Sequence, residues 1–216
     1  MDREQVKKHF HAALSDAVDF ASLRVHTDKS EWLTVRQNVA QPSNLEDDSG
    51  AMVTVHHGGG VGYAATADLS EAGLRHAIER AKVWAETTSR KAVTNFSQLD
   101  MPHPKGEFHS PIEVNWETVD LDDKYEFLRD ACQKLKVDDK IVDWSSALWR
   151  HCSQRDYFTS GGGDVSQTFD RLLPMLSATA NQGSESQTRT FGGLGWVRQR
   201  GWELIDELEV LGAASK

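Results

Sequence analysis

The sequence predicts an α+β fold, in which a mainly antiparallel sheet carries helices packed on one face. Three observations predict it. Segments with helical periodicity lie before and after groups of strand-like runs, those runs alternate apolar and polar residues, and glycine-rich turns separate them. The chain has 216 residues, of which 38% are hydrophobic, and it is therefore long enough to bury a packed core.

Residues 4–90 are expected to hold a first helix, a meander of short strands and a second helix. Apolar residues recur at helical spacing over 4–18. From Phe20 onward they alternate with polar residues, which is typical of a strand, and Asp28-Lys29-Ser30 predicts a turn between two strands. Ser70 precedes a second apolar stripe at helical spacing and is the expected N-cap of the second helix.

The second half of the chain reads as a linker, a third helix and long strands. Residues 91–119 contain four of the chain's helix-breaking Pro and Gly residues and few periodic apolar residues, so they are expected to form a long connection. Residues 120–212 are expected to begin with a helix and continue as long antiparallel strands. The predicted elements are a helix over 121–135, strands over 140–152, 156–160, 165–180 and 185–198, and a fourth helix over 202–211.

Charge and hydropathy exclude several classes of partner. The formal charge is −9, and basic residues are dispersed among acidic ones, which speaks against a nucleic-acid surface. No apolar run approaches the roughly 20 residues that cross a bilayer, and the first four residues lack the pattern of a secretion signal. We therefore expect a cytoplasmic protein with no membrane and no nucleic-acid partner.

The residues that could carry chemistry do not form a recognisable active site. The nine histidines never occur as His-Glu-x-x-His, no Gly-x-Ser-x-Gly is present, and residues 57–63 precede a strand rather than a helix and lack a following Gly-Lys. Cys132 lies on the apolar side of a predicted helix, and Cys152 follows His151, whose side chain points to the other face of a strand. The residues alone therefore predict neither a catalytic residue nor a metal ligand.

A set of short motifs nevertheless resembles one known family. The segment Gly58-Gly59-Gly60-Val61-Gly62-Tyr63-Ala64-Ala65-Thr66-Ala67-Asp68-Leu69-Ser70, followed by an Ala-rich helix, is similar to the amino-terminal half of the TldD/PmbA metalloproteases, long described as modulators of DNA gyrase. The pattern is closer to the TldD branch. Four further segments match in the same order: Leu33-Thr34-Val35-Arg36, Leu121-Asp122-Asp123-Lys124, the hairpin over 160–167, and Gly192-Gly193 leading into Gly201-Trp202-Glu203.

The resemblance implies a function for the chain but no catalytic residue within it. Members of the family hold zinc through a His-Glu-x-x-x-His helix and a downstream Cys in the carboxy-terminal half, and no position here matches those residues. The whole chain, 1–216, would then be the amino-terminal domain of a zinc metallopeptidase (hydrolase) that cleaves unfolded peptides, with the catalytic carboxy-terminal domain absent. Its implied partners are a TldD/PmbA-type subunit or the missing carboxy-terminal half, together with an unfolded peptide. Whether this chain is itself an enzyme stays open.

Glycines mark the places where a second backbone could approach the predicted sheet. An exposed sheet edge can accept a peptide by strand addition, and Gly60, Gly62, Gly193 and Gly195 are the candidate peptide contacts. The alternative interpretation of these glycines is that they form bends and bulges within a twisted sheet. The alternative function is a freestanding α+β interaction module without protease activity.

Overall fold

The computed structural model describes residues 2–14 and 18–214, and it confirms the α+β class. Within these residues, five α-helices accompany eight strands. In chain order they are α1 (Arg3–Ala13), β1 (Phe20–Arg36), β2 (Val39–Ala40), β3 (Asn44–His57), β4 (Gly60–Thr66), α2 (Glu71–Ser89), β5 (Lys105–His109), α3 (Leu121–Leu135), β6 (Ile141–Thr159), β7 (Asp164–Gln182), β8 (Glu185–Gly192), α4 (Leu204–Glu207) and α5 (Val210–Ala213).

The strands follow the order β4-β3-β1-β6-β7-β5, with β2 paired to β1 and β8 paired to β7. The β1–β2, β3–β4 and β7–β8 pairs are antiparallel. The chain divides into two compact units, and the long strands contribute segments to both. The first unit comprises Met1–Asp28, Asp48–Phe108 and Ser153–Thr168, and the second comprises Lys29–Asp47, His109–Cys152 and Phe169–Lys216.

In the first unit, α1 and α2 pack against one face of the strands. Phe10, Leu74 and Ile78 are fully buried against β1, β3 and β4, and burial of each such side chain contributes about 1.5–3 kcal/mol. Polar contacts hold α1 in place as well. Arg3 Nε donates to Asp156 Oδ1 at 2.9 Å, and Asp164 binds both Arg3 and Lys7.

The second unit has a core of its own around α3. Leu128, Ala131 and Cys132 are buried against apolar residues of β1, β6 and β7 and of the two short helices α4 and α5. A polar contact supports this packing, because the Ser146 hydroxyl donates to the Leu128 carbonyl at 2.6 Å. The helix boundaries, Leu121 and Leu135, are those predicted from the sequence.

Two predicted breaks in the strands are wrong. Asp28-Lys29-Ser30 is not a turn, because β1 continues through it to Arg36. The chain reverses instead at Gln37 and Asn38, whose φ angles are +50° and +63°. Likewise the predicted strands 140–152 and 156–160 are one 19-residue strand, β6. Long cross-strand pairing overrides local polar residues in both places.

Three other predictions need correction. The linker 91–119 contains the short strand β5. The last long strand ends at Gly192, and only an isolated bridge joins Leu172 to Arg198. The predicted fourth helix is interrupted by Glu209, whose φ of +47° separates α4 from α5. The end of the predicted first helix, residues 15–17, lies outside the described residues. None of the described helices is long and apolar enough to cross a membrane.

Candidate functional site

Gly60 and Gly62 lie where β4 meets α2. A Cβ added to Gly60 would fall 2.0 Å from the Ala85 carbonyl oxygen, and one added to Gly62 would fall 1.9 Å from the Ala81 carbonyl oxygen. Only glycine permits this close approach of helix and strand backbones. The second backbone next to these two glycines is therefore that of α2, on the buried face of the strand.

Gly193 and Gly195 lie in a different environment, in the segment after β8. No atom lies within 4 Å of a Cβ added to either residue, and the φ of Gly193 is +85°. Gly192 is the crowded member of this run, since its added Cβ would fall 1.9 Å from the Pro174 carbonyl oxygen. The structure thus brings together Gly60 and Gly62 on β4 and places Gly193 and Gly195 in the second unit. Peptide contact by these four glycines stays a prediction.

The free edge of β4 is the feature of the first unit best suited to bind another chain. Within the part of the chain that the structure describes, β4 is a terminal strand of the sheet, and β3 is its one strand partner. At its start, Thr88 Oγ1 accepts the Val61 N–H at 3.0 Å and lies 2.7 Å from the Val61 carbonyl, to which it donates. Val61 therefore turns both of its backbone groups away from β3.

Further along β4, every second residue has backbone groups that point away from β3, as those of Val61 do. Backbone groups of successive residues point to opposite sides of a strand, so Tyr63 and Ala65 share the outward direction of Val61. On β3, Thr54 lies opposite Tyr63 and Met52 lies opposite Ala65. Both are pairs of the non-hydrogen-bonded type, so the backbone groups of Tyr63 and Ala65 do not bind β3. Between them, Tyr63 and Ala65 present two N–H and two C=O groups at the edge. These groups match the backbone of an extended peptide.

Aromatic side chains lie beside this edge. The Tyr63 side chain and the Trp84 side chain of α2 are each 58% exposed. Trp84 Cβ would be 2.8 Å from a Cβ on Gly62, so its side chain begins next to the strand. A strand edge next to a helix that carries an exposed aromatic residue offers an added peptide both main-chain hydrogen bonds and apolar contact.

The face of the first unit that points away from α1 and α2 is open and lined by charged side chains. Arg24 and His26 border two cavities of about 580 Å³ and about 540 Å³. The first extends to Met52 and Ala65, and it therefore reaches the β4 edge. His26 Nε2 is fixed by Ser153 Oγ at 2.9 Å and Asp28 Oδ2 at 3.2 Å. Side chains of a peptide at the edge could reach this face.

The two thiols are protected rather than activated. Burial raises the pKa of Cys132, and it raises the pKa of Cys152 to about 11, with a further contribution from the charge of Asp170. Neither environment favours the thiolate that a nucleophile or a metal ligand requires. Among residues 2–14 and 18–214, no three His, Cys, Asp or Glu side chains come together in a way that could hold a metal ion. The zinc that the family resemblance implies would be held in the carboxy-terminal half, and the described residues of this chain offer no site for it.

Sequence reasoning located the Gly-rich strand but missed the role of Thr88. The sequence suggests a helix end at Thr87-Thr88-Ser89, where β-branched and small polar residues follow good helix formers. In the structure the Thr88 side chain caps the adjoining strand edge and so separates its closed part, at Val61, from its open part at Tyr63 and Ala65. Only the tertiary packing of α2 on β4 reveals this.

The first part of the chain matches one protein-family model. Residues 21–85, which include β4 and most of α2, match the model described as PmbA/TldA metallopeptidase domain 1. No match was found among curated proteins.

Solved structures share the fold over nearly the whole chain. A proposed modulator of a DNA gyrase from Thermotoga maritima aligns with a TM-score of 0.71 and 14% identity, over 99% of this chain and 47% of that one. TldE from Thermococcus kodakarensis aligns with a TM-score of 0.63 and 15% identity, over 97% and 44%. A proposed DNA gyrase modulator from Bacteroides thetaiotaomicron aligns with a TM-score of 0.63 and 13% identity, over 97% and 49%.

At these identities the likeness establishes the fold, and the chain spans about half the length of each of the three structures. The resemblance to the amino-terminal domain of the TldD/PmbA family is therefore confirmed by the family model over residues 21–85, and the solved structures show that the fold extends over nearly the whole chain.

Proposed function

We propose that this chain is the amino-terminal, substrate-side and assembly domain of a TldD-type zinc metallopeptidase of the cytoplasm, and that it binds unfolded peptide by strand addition at the edge of β4. One observation carries the proposal. Thr88 closes the edge at Val61, and the ladder turns the backbone groups of Tyr63 and Ala65 outward. Strand addition uses main-chain groups, so it suits substrates that share an extended conformation and little sequence.

Hydrolysis belongs to residues outside this chain in our proposal. The described residues do not assemble a metal site, and the thiols are protected, so the domain's own contribution is to hold and orient the peptide. The zinc chemistry would come from a carboxy-terminal half or from a TldD/PmbA-type subunit. Such an assembly would gain from a peptide that is already extended, because its conformational freedom has been reduced before cleavage.

A proline at position 65 tests the binding step. The Ala65 N–H points away from β3, so Ala65→Pro removes the outward donor without removing a β3–β4 hydrogen bond, and proline is tolerated at such edges. We expect at least a tenfold loss of affinity for a fluorescent, unfolded ten-residue peptide, measured by polarisation. Ala65→Ser keeps the N–H and is the matched control, with affinity within about twofold of the unmodified chain.

The same experiment separates the proposal from its alternative. If Ala65→Pro binds the peptide as well as Ala65→Ser does, strand addition at β4 is wrong. Adding a TldD/PmbA-type subunit and following hydrolysis of the bound peptide then tests the peptidase role. Binding at β4 without co-elution or stimulated hydrolysis would favour the freestanding interaction module.

A further inference from the structure

A row of α2 side chains runs along the free edge of β4. A Cβ added to Gly60 would lie 2.8 Å from Thr88 Oγ1, and one added to Gly62 would lie 2.8 Å from Trp84 Cβ. Two residues forward along the strand therefore correspond to four residues backward along the helix. These two steps have nearly the same length, about 6.6 Å in a strand and about 6.0 Å in a helix. By the same spacing, Arg80 is the next member of the row.

Trp84 and Arg80 are both accessible to a ligand. Trp84 is 58% exposed, and Arg80 is exposed as well. Arg75, on the side of the helix that faces α1, forms an ion pair with Glu71. Within the described part of the chain, by contrast, no carboxylate forms an ion pair with Arg80. The row thus presents an aromatic ring next to an unpaired positive charge.

A strand added to β4 would turn every second side chain toward this row. Gly62 and Ala64 face α2, and they alternate with Tyr63, whose side chain is exposed on the other face of the sheet. Directly opposite residues of paired strands point to the same face. The peptide side chain opposite Gly62 would therefore lie against the Trp84 ring, and the one opposite Ala64 would lie beside Arg80.

We propose that the β4 edge selects extended peptides in which an aromatic and an acidic residue stand two positions apart. The inference rests on the strand addition proposed above and adds a preference to it. Main-chain hydrogen bonds give affinity in this mode of binding, whereas contacts with alternate side chains give specificity. The aromatic side chain packs on Trp84, and the carboxylate pairs with Arg80. A basic side chain in the second position would be repelled by Arg80.

Matched peptides test this preference. The probe carries Glu-Thr-Phe-Thr-Glu between threonines and is blocked at both ends. Its pattern reads the same in both directions, so the direction of the added strand does not affect the result. One comparison peptide replaces Phe with Ala, and another replaces both Glu residues with Lys. Fluorescence polarisation with the folded chain should show affinity about fivefold lower for the Ala peptide and about threefold lower for the Lys peptide.

Variants of the row show whether α2 causes the preference. Trp84→Ala should bind the Phe and Ala peptides equally, and Arg80→Glu should reverse the order of the Glu and Lys peptides. Arg90→Glu is the charge-matched control. Arg90 is exposed at the C-terminal end of α2, about 15 Å along the helix axis from Arg80, where salt screens its charge from the bound peptide. It should leave the order of the peptides unchanged. Thermal melting verifies that each variant is folded.

The outcomes separate this inference from the strand-addition proposal. If all three peptides bind equally and Ala65→Pro still weakens their binding, β4 accepts a strand without selecting it, and this inference alone is wrong. If Ala65→Pro has no effect on any peptide, peptide binding at β4 is itself wrong. A preference for Phe that persists in Trp84→Ala, or a preference for Glu that persists in Arg80→Glu, would also overturn the inference, because other residues would then cause it.

Discussion

Thr88 of α2 binds both backbone groups of Val61 through a single oxygen, at 3.0 Å from the nitrogen and 2.7 Å from the carbonyl oxygen. An exposed strand edge normally invites unwanted pairing, and covering part of it restricts where another strand can add. Here the helix covers the start of β4 and leaves the rest of the edge open. The same hydroxyl thus anchors α2 and delimits the proposed binding edge.

Removing this hydroxyl should destabilise the first unit measurably. In Thr88→Val the shape of the side chain is retained, but the two part-buried backbone groups of Val61 lose their partner, which costs about 1–3 kcal/mol. Urea denaturation measures the change. Thr87→Val is the control, because the one hydrogen bond of Thr87 Oγ1 among the described residues goes to the exposed Val83 carbonyl. It should change the free energy of unfolding by less than about 0.5 kcal/mol. Equal effects of the two variants would show that the Val61 contact is unimportant.

The glycines of β4 and those after β8 should respond differently to a methyl group. Gly62→Ala would place a Cβ 1.9 Å from the Ala81 carbonyl oxygen, so α2 must move away from the strand. We expect a loss of at least ~3 kcal/mol in the free energy of unfolding. Gly195→Ala meets no atom within 4 Å and should be nearly neutral. Thermal melting of the two variants checks the difference, and a stable Gly62→Ala would contradict the close packing.

The anchoring of α1 should depend on pH. Burial alone would raise the pKa of Asp164, but hydrogen bonds from Lys7 and Arg3 outweigh it and lower that pKa. The stabilisation is therefore fully present above the unfolded-state pKa of about 4 and is lost as pH falls through the lower folded-state value. Asp164→Asn should cost about 2 kcal/mol at neutral pH. Its deficit relative to the unmodified chain should shrink in acid.

Urea denaturation at several pH values measures that deficit. Asp139→Asn is a suitable control, because the contact of Asp139 with Lys136 uses its backbone carbonyl rather than its side chain. A deficit for Asp164→Asn that stays constant down to the most acidic pH would show that the ion pairs do not stabilise the fold.

Several elements follow from local sequence alone. Ser70 is the N-cap of α2 as predicted, since its hydroxyl accepts the Gly73 N–H at 3.2 Å. The boundaries of α3 were also predictable, because its apolar stripe and acidic first turn agree with each other. In each case neighbouring residues contain all the information that the element needs.

Other features depend on distant parts of the chain. The residues at 28–30 favour a turn, yet pairing within the sheet keeps β1 extended to Arg36. β5 was missed because its five residues are all exposed and show no alternation of burial. The candidate site also depends on distant parts of the chain. The glycine pattern marked β4, but the closed and open parts of its edge follow from where Thr88 of α2 lies.

The protected thiols make a kinetic prediction. A pKa of about 11 for Cys152 leaves roughly 100-fold less thiolate at neutral pH than the ordinary value of 9.0. Alkylation of the native chain by iodoacetamide should therefore be at least 100-fold slower at Cys152 than in the urea-unfolded chain. Mass spectrometry distinguishes this site from Cys132. Rapid native alkylation of Cys152 would indicate an activated thiol and reopen a nucleophilic role.

Hydrogen exchange at the β4 edge tests the central claim most directly. Amide exchange is recorded by NMR for the folded chain with and without a saturating unfolded peptide. If the peptide adds to β4, the outward N–H groups of Tyr63 and Ala65 gain protection, while that of Val61, already bound to Thr88, changes little. Bound peptide with unchanged exchange at Tyr63 and Ala65 would contradict strand addition at this edge.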